Sequence, residues 1–413
     1  MLLGTAAIDI TPPVGALLAG SLRPRTSVGT DDPLLCKAMV LDNGKTRVAV
    51  VTLDLITWPR SRCRGPREAI AAMAGIAPEH VLVNCSHTHS GPYTDTSLYL
   101  VDADLDEGYL AQVGEAIAKA VCRAAEDLRT VSVGTIKSRV GGVGRNRRLL
   151  RPDGSVINAW LVSADDREAL PTAGPEDEDL LAWVFFSAGS PVAALWNYTV
   201  HVNAHFGTSF SADYPGRVAT ALRDEFGPEF FSLFLPGACG DINNTVGFEP
   251  LCLRLSAAMR DLVRRAVPGE SEDLGATWRE VILAVRDREP FQEAEIADKW
   301  PDGFEVFQTE DRLLKADPRD SASTVVQALR IGDGAIAATP GETFVDLGLE
   351  IKARSPFEVT AVAELSNDGI GYIPTCEAFT QGGYETFRSR WVRVVPGSGE
   401  RLVDDLVDML EQL

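Results

Sequence analysis

No stretch of the chain approaches the roughly 20 consecutive apolar residues that a bilayer-spanning helix needs, so no membrane span is expected. Positive charge is in deficit: Lys+Arg 39 against Asp+Glu 59 gives 39 − 59 = −20. That balance argues against nucleic acid and against anionic membrane surfaces as partners, and leaves small substrates open because charge inside a cleft can oppose the net charge. The start, Met1 to Pro13, has neither a basic n-region nor a long apolar h-region and does not read as a signal peptide. The 7 cysteines are odd in number, scattered and without a C-x-x-C pair. They read as reduced thiols in a cytoplasmic protein, not as a disulfide framework. An Ala-, Arg- and Gly-rich composition hints at a high-GC bacterium.

Histidine is also scarce, and its placement is informative. Of 5 histidines, His87 and His89 share Ser86-His87-Thr88-His89-Ser90-Gly91-Pro92, and His201 and His205 share His201-Val202-Asn203-Ala204-His205. Neutral imidazole is the commonest metal ligand. Clusters at the ends of apolar runs point to a zinc-type hydrolytic centre. On an extended segment residues i and i+2 point the same way, so His87 and His89 can face one cavity. They read equally well as two ligands or as one ligand and one catalytic imidazole. His201, at the end of the run 191–200, is the ligand candidate of its pair, and His205 reads as a loop histidine.

Strand-like apolar runs at 37–41, 47–53, 80–84, 132–136, 181–186, 191–200, 230–235, 278–285, 324–331, 334–338 and 359–365 alternate with helix-like runs at 66–74, 107–128, 214–226, 251–267, 343–353 and 400–413. The class is α/β, with mixed sheets covered by helices; runs such as 47–53 are apolar throughout, as strands buried on both faces are. No internal repeat is visible. The chain reads as a single catalytic domain, 1–413, with loop insertions near 164–179 and 289–317.

A catalytic zinc usually has three protein ligands and an open position. A carboxylate candidate is Glu342 in Thr339-Pro340-Gly341-Glu342, following the apolar run 334–338. An acidic residue at a helix N-terminus is equally expected from the macrodipole. Asp54 reads as a ligand-orienting group or a turn cap, Asp213 as a helix N-cap, and Cys239 as a small buried residue rather than a nucleophile.

Several segments together resemble the catalytic domain of the neutral/alkaline (non-lysosomal) ceramidase family. The family's opening "IADITGP" is similar to Ala7-Ile8-Asp9-Ile10-Thr11-Pro12-Pro13, and its "THTHSGP" to Ser86–Pro92. "NRS" is similar to Asn146-Arg147-Arg148. "HPVSMN…SDYPG" is similar to His201-Val202-Asn203 followed by Ser211-Ala212-Asp213-Tyr214-Pro215-Gly216. "PGE" matches Pro340-Gly341-Glu342, and "YVTTxEEY…YE" resembles Tyr372-Ile373-Pro374-Thr375-Cys376-Glu377 with Tyr384-Glu385 beyond. The order is the family's, and the segments run through nearly the whole chain. The resemblance implies zinc held by His87, His201, Glu342 and Tyr372. His89, Arg147 and Tyr384 fall where the family keeps groups that support the metal and polarise the substrate. It further implies attack on an amide carbonyl by zinc-activated water, with oxyanion stabilisation by a nearby cation or imidazole.

The departures bear on the substrate. The family's "GDVSPN" serine is replaced by Asn243 in Gly240-Asp241-Ile242-Asn243-Asn244. A carboxamide is no nucleophile, but it can hydrogen-bond a substrate carbonyl. The secreted relatives' C-terminal immunoglobulin-like domain is not expected here. A soluble small acyl-amide is therefore the expected substrate, with an ester or lactone hydrolase, or a catalytically silent zinc-binding homologue, as alternatives. The donor set does not distinguish zinc from iron or manganese.

Overall fold

The computed structural model describes residues 1–21, 24–95, 105–286 and 321–413; the expected insertion at 289–317 lies outside them. Among the described residues the main strands form three sheets, and all three are wound alike. In the first, Leu2–Asp9, Leu35–Asp42 and Arg47–Leu53 run antiparallel in turn, and Val81–Cys85 adds parallel to the last. The second repeats this with Ser132–Arg139, Asp179–Ser187, Ser190–Tyr198 and parallel Phe231–Pro236. The third uses Leu274–Ala284, Ser321–Ile331, Gly334–Ala338 and parallel Val359–Ala363.

The helices repeat as well. Each parallel pair is joined through a helix, Arg60–Ala74, Asp213–Phe226 or Val345–Arg354, and each last strand leads on to another, Glu107–Glu126, Phe248–Arg265 or Ser398–Glu411. No internal repeat was legible because the repetition is one of topology. Successive strands need only apolar residues of period two, which many unrelated sequences supply.

Alternation explains the layering. In Arg47–Leu53, Val48 and Val50 face a central core shared with Trp183, Phe185, Leu195, Leu233, Ile336 and Ala361 of the other two sheets. Ala49, Val51 and Leu53 face the helices Arg60–Ala74 and Glu107–Glu126. Helices therefore cover the outer face of each sheet, as expected, and the inner faces cover one another.

The strand Leu2–Asp9 was not expected, several bounds shift by a few residues, and two further local features differ from expectation. The first crossover helix opens at Arg60 and not at Pro66, which sits inside it and forgoes an intrahelical hydrogen bond. The segment expected as an acidic loop contains a short helix, Ala164–Ala169, capped by the Ser163 side chain on the Asp166 amide. Among the described residues no helix is long and apolar enough to cross a membrane.

Candidate metal centre

The carboxyl ends of the parallel strand pairs converge, which is where α/β sheets place ligand sites. The first unit delivers His87 and His89 just beyond Val81–Cys85. The second delivers His201 beyond Ser190–Tyr198 and Cys239 and Asp241 beyond Phe231–Pro236. The third delivers Glu342 beyond Gly334–Ala338 and Glu364 beyond Val359–Ala363.

Three imidazoles meet edge to edge. His87 Nε2 lies 2.9 Å from His201 Nε2 and 3.4 Å from His89 Nε2. Each opposite ring nitrogen is held by a backbone carbonyl: His87 Nδ1 by Ile56 at 2.9 Å, His89 Nδ1 by Gly20 at 2.9 Å, His201 Nδ1 by Cys239 at 3.1 Å. A carbonyl only accepts, so each Nδ1 carries its proton and each Nε2 lone pair faces the common point. Carbonyl-oriented imidazoles are characteristic of metal sites. Glu342 Oε2 is 3.4 Å from His87 Nε2 and 3.8 Å from His201 Nε2, and it is buried with no hydrogen-bond donor. Ligand atoms on a tetrahedron with bonds of about 2.0–2.1 Å stand about 3.4 Å apart, close to these separations. The donor set and the orphaned carboxylate oxygen thus fit a divalent metal ion.

The backbone enforces this convergence. His87 does not continue the strand as expected; it adopts φ 68°, a left-handed conformation uncommon outside glycine. Such strain concentrates at functional sites. Gly20, at φ 78°, is needed for His89: a Cβ there would overlap the imidazole. Gly240 lets its turn lie against Glu342, whose carbonyl a Cβ would strike, and its amide donates to Thr343 O.

Electrostatics separates the histidines. Burial, then the neighbouring His87, hold the His89 imidazole well below its ordinary pKa, and the same two causes act on His201. Both are therefore neutral and available as ligands. For His87 burial opposes protonation, but the Glu342 carboxylate outweighs it and the pKa is raised. Protons and metal compete for that lone pair. Metal affinity is accordingly expected to hold steady above the raised His87 pKa and to fall by up to about tenfold per pH unit below it. A chelator-competition series over about pH 5–8 checks this; an affinity that stays level throughout would contradict it.

Arg147 is buried behind the cluster. Its Nε donates to Glu385 Oε1 at 2.7 Å, one terminal nitrogen to Asn243 Oδ1 at 3.1 Å and the other to the Tyr372 hydroxyl at 2.9 Å. Tyr372 pairs with Glu342 in a short parallel ladder, so the two side chains leave the same side. Burial keeps the Tyr372 hydroxyl protonated, well above its ordinary pKa, although Arg147 pulls the other way. Tyr384 packs edge-on against Tyr372 and Trp160 and stacks on Trp391. All eight expected site residues are therefore linked by contacts in one neighbourhood. The His89 Nε2 lies within the cluster of ring nitrogens; the residue pattern leaves it open between ligand and catalytic imidazole, and the resemblance places it beside the ligands.

The remaining candidates are outside. His205 bridges Asp31 Oδ2 at 2.8 Å and Ser90 Oγ at 3.1 Å. Asp213 is not an N-cap; it takes a left-handed conformation, accepts the His205 amide, and is pushed by burial up to about 6. Asp54 accepts the Leu35 amide at 3.0 Å, across the open ends of the paired strands Leu35–Asp42 and Arg47–Leu53.

Cys239 is fully buried, its thiol pushed well above its ordinary pKa by burial and then Glu364, and it donates to Glu364 Oε1 at 3.0 Å. An inert thiol is the consequence. Limited alkylation is expected to modify exposed Cys376 first and leave Cys239 unlabelled, read by peptide mass spectrometry. Labelling of Cys239 before Cys376 would contradict this.

Sequence reasoning missed Glu364 and Glu385. Glu364, fully buried, is pushed by burial up to about 8, with His87 acting against the rise and Glu342 adding to it. The signal was available: a lone acid near the end of the apolar run 359–365.

No protein-family model matches the chain, and no curated protein sequence does. Solved structures do. The neutral ceramidase of Pseudomonas aeruginosa superposes with a TM-score of 0.76 at 16% identity, covering 100% of this chain and 75% of that one. A ceramidase complexed with C2 gives a TM-score of 0.76 at 17% identity, with 100% and 75% covered. At such identities the likeness establishes the fold, the mixed α/β architecture expected from the sequence.

Proposed function

We propose that this protein is a zinc-dependent hydrolase that cleaves the amide bond of a soluble N-acyl substrate. The observation that carries the proposal is the set of three carbonyl-oriented imidazoles converging with an orphaned carboxylate oxygen, next to a buried guanidinium. His87, His201, Glu342 and Tyr372 would hold the ion. When bound, zinc supplies Lewis acidity and brings the pKa of water toward about 7. Iron or manganese would suit the same donors, and metal analysis distinguishes them from zinc.

The chain's own groups supply the rest. Arg147, fixed by Glu385, presents a permanent charge to a developing oxyanion without reorganising. Asn243 has its carbonyl oxygen committed to Arg147, which leaves its amide NH2 to donate to a substrate carbonyl. His89, neutral and held at Nδ1 by Gly20, can take a proton from the attacking water and return it to the leaving amine. Tyr384 packs against Tyr372 and against Trp160, whose ring the Arg147 guanidinium faces.

A second reading of one residue is favoured by geometry. His89 Nε2 stands among the ligand nitrogens, so His89 would replace Tyr372 in holding the metal. Metal content of His89→Ala and Tyr372→Phe separates the two, since only loss of a ligand empties the site.

A panel of N-acyl amines matched with the corresponding esters and lactones tests the activity. Hydrolysis of an N-acyl amine, abolished by chelation and restored by zinc, is the expected result. Turnover of esters or lactones alone would replace amidase with esterase, and no turnover of any zinc-loaded sample would favour a silent metal-binding protein.

A further inference from the structure

Glu364 stands in the third unit, one strand away from Glu342, and its side chain joins the loop that carries Glu342 to the loop whose Cys239 carbonyl orients His201. It is fully buried. Its Oε2 accepts the Cys239 amide at 3.0 Å and the Thr343 amide at 3.1 Å, and its Oε1 accepts the Cys239 thiol at 3.0 Å. Cys239 in turn offers the carbonyl that orients His201 Nδ1, and Thr343 directly follows Glu342. The loops are clasped a second time where the Gly240 amide donates to Thr343 O at 2.9 Å. No cation is bonded to Glu364 among the described residues, so its burial is offset by these three donors alone, an arrangement that is costly unless complete.

We propose that Glu364 is a positioning residue for the metal centre: by accepting from both loops at one oxygen it fixes the distance between His201 and Glu342. This inference rests on the reading of the cluster as a metal site. What matters is an acceptor oxygen at the right reach. Glutamine keeps that oxygen and can turn its NH2 to the Cys239 sulfur. Aspartate keeps the carboxyl group but is one methylene too short to hold both amides.

The experiment is zinc affinity by chelator competition on the wild type, Glu364→Gln and Glu364→Asp, each first shown to be folded by circular dichroism and thermal unfolding. Glu364→Asp is expected to lose about 10- to 100-fold in affinity, the range for groups that orient metal ligands. Glu364→Gln is expected to stay within about threefold of the wild type on the same scale. A folded Glu364→Asp that binds zinc like the wild type would overturn the proposal. So would a folded Glu364→Gln that loses zinc as severely as the aspartate variant, because the carboxyl group itself and not its reach would then govern. If Glu364→Asp does not fold, the glutamine variant decides alone on the same threshold. A wild type that binds no zinc would instead remove the metal-site reading itself, so the two failures are distinguishable.

Discussion

His201→Ala is expected to lower zinc affinity by more than about 100-fold, beyond the cost of losing a group that merely orients a ligand, and to abolish hydrolysis with it. His201 is buried at the meeting point of all three units, with its Nε2 2.9 Å from that of His87. Alanine removes one of the converging donors, and no described neighbour replaces it. The fold should survive. The imidazole makes one backbone hydrogen bond, lies 3.9 Å from Cys239 Sγ and 3.8 Å from Glu342 Oε2 and makes edge contacts with two other rings, and the strand Ser190–Tyr198 before it is held by ladders on both sides. Unchanged zinc affinity in the folded variant, measured by chelator competition, would remove His201 from the ligand set.

Glu385→Ala should have the largest effect on stability, about 3–5 kcal/mol in denaturant unfolding, the range for breaking a buried ion pair by removing one partner. The Glu385 carboxylate has no solvent exposure. It accepts from Arg147 at 2.7 Å, from Arg148 at 3.3 Å and from Asn158 at 2.8 and 2.9 Å. Alanine would leave two buried guanidinium groups facing a cavity. The sign of the pH dependence follows from the same contacts. Burial alone would raise the carboxyl's pKa, but Arg147 and Arg148 outweigh it and hold it below the ordinary value of 4.5. The stability it contributes is present above that value and is lost as pH falls through the lowered one. Loss of less than about 1 kcal/mol, the scale of an exposed ion pair, would mean that the arginines find other partners.

Much of this site was legible in the sequence, for a physical reason. Histidines at the ends of apolar strands are conspicuous because imidazole is rarely needed there for packing. His87, His89, His201 and Glu342 could thus be nominated as candidates by type and position, and Arg147, Tyr372 and Tyr384 only through resemblance to a family. The sequence pattern brought His87 and His89 to one cavity without saying whether both are ligands, and it did not show the backbone between them. An i, i+2 argument assumes extended backbone, and His87 is left-handed.

Glu364 and Glu385 escaped because their partners are remote in sequence. Cys239 is 125 residues from Glu364, and Arg147 is 238 from Glu385. Local pattern carries no information about such pairings. The threefold repetition of topology was hidden for the opposite reason: its strands obey a pattern too general to mark them as copies.

The central claim is that the converging imidazoles and Glu342 form a metal centre. Its most direct test is elemental analysis of the purified protein, as isolated and after zinc resupply followed by exhaustive desalting. About one equivalent of zinc per chain, as a single closed site requires, is the predicted result. Protein that retains no metal after resupply would contradict it, and the buried, donorless oxygen of Glu342 would then need another partner.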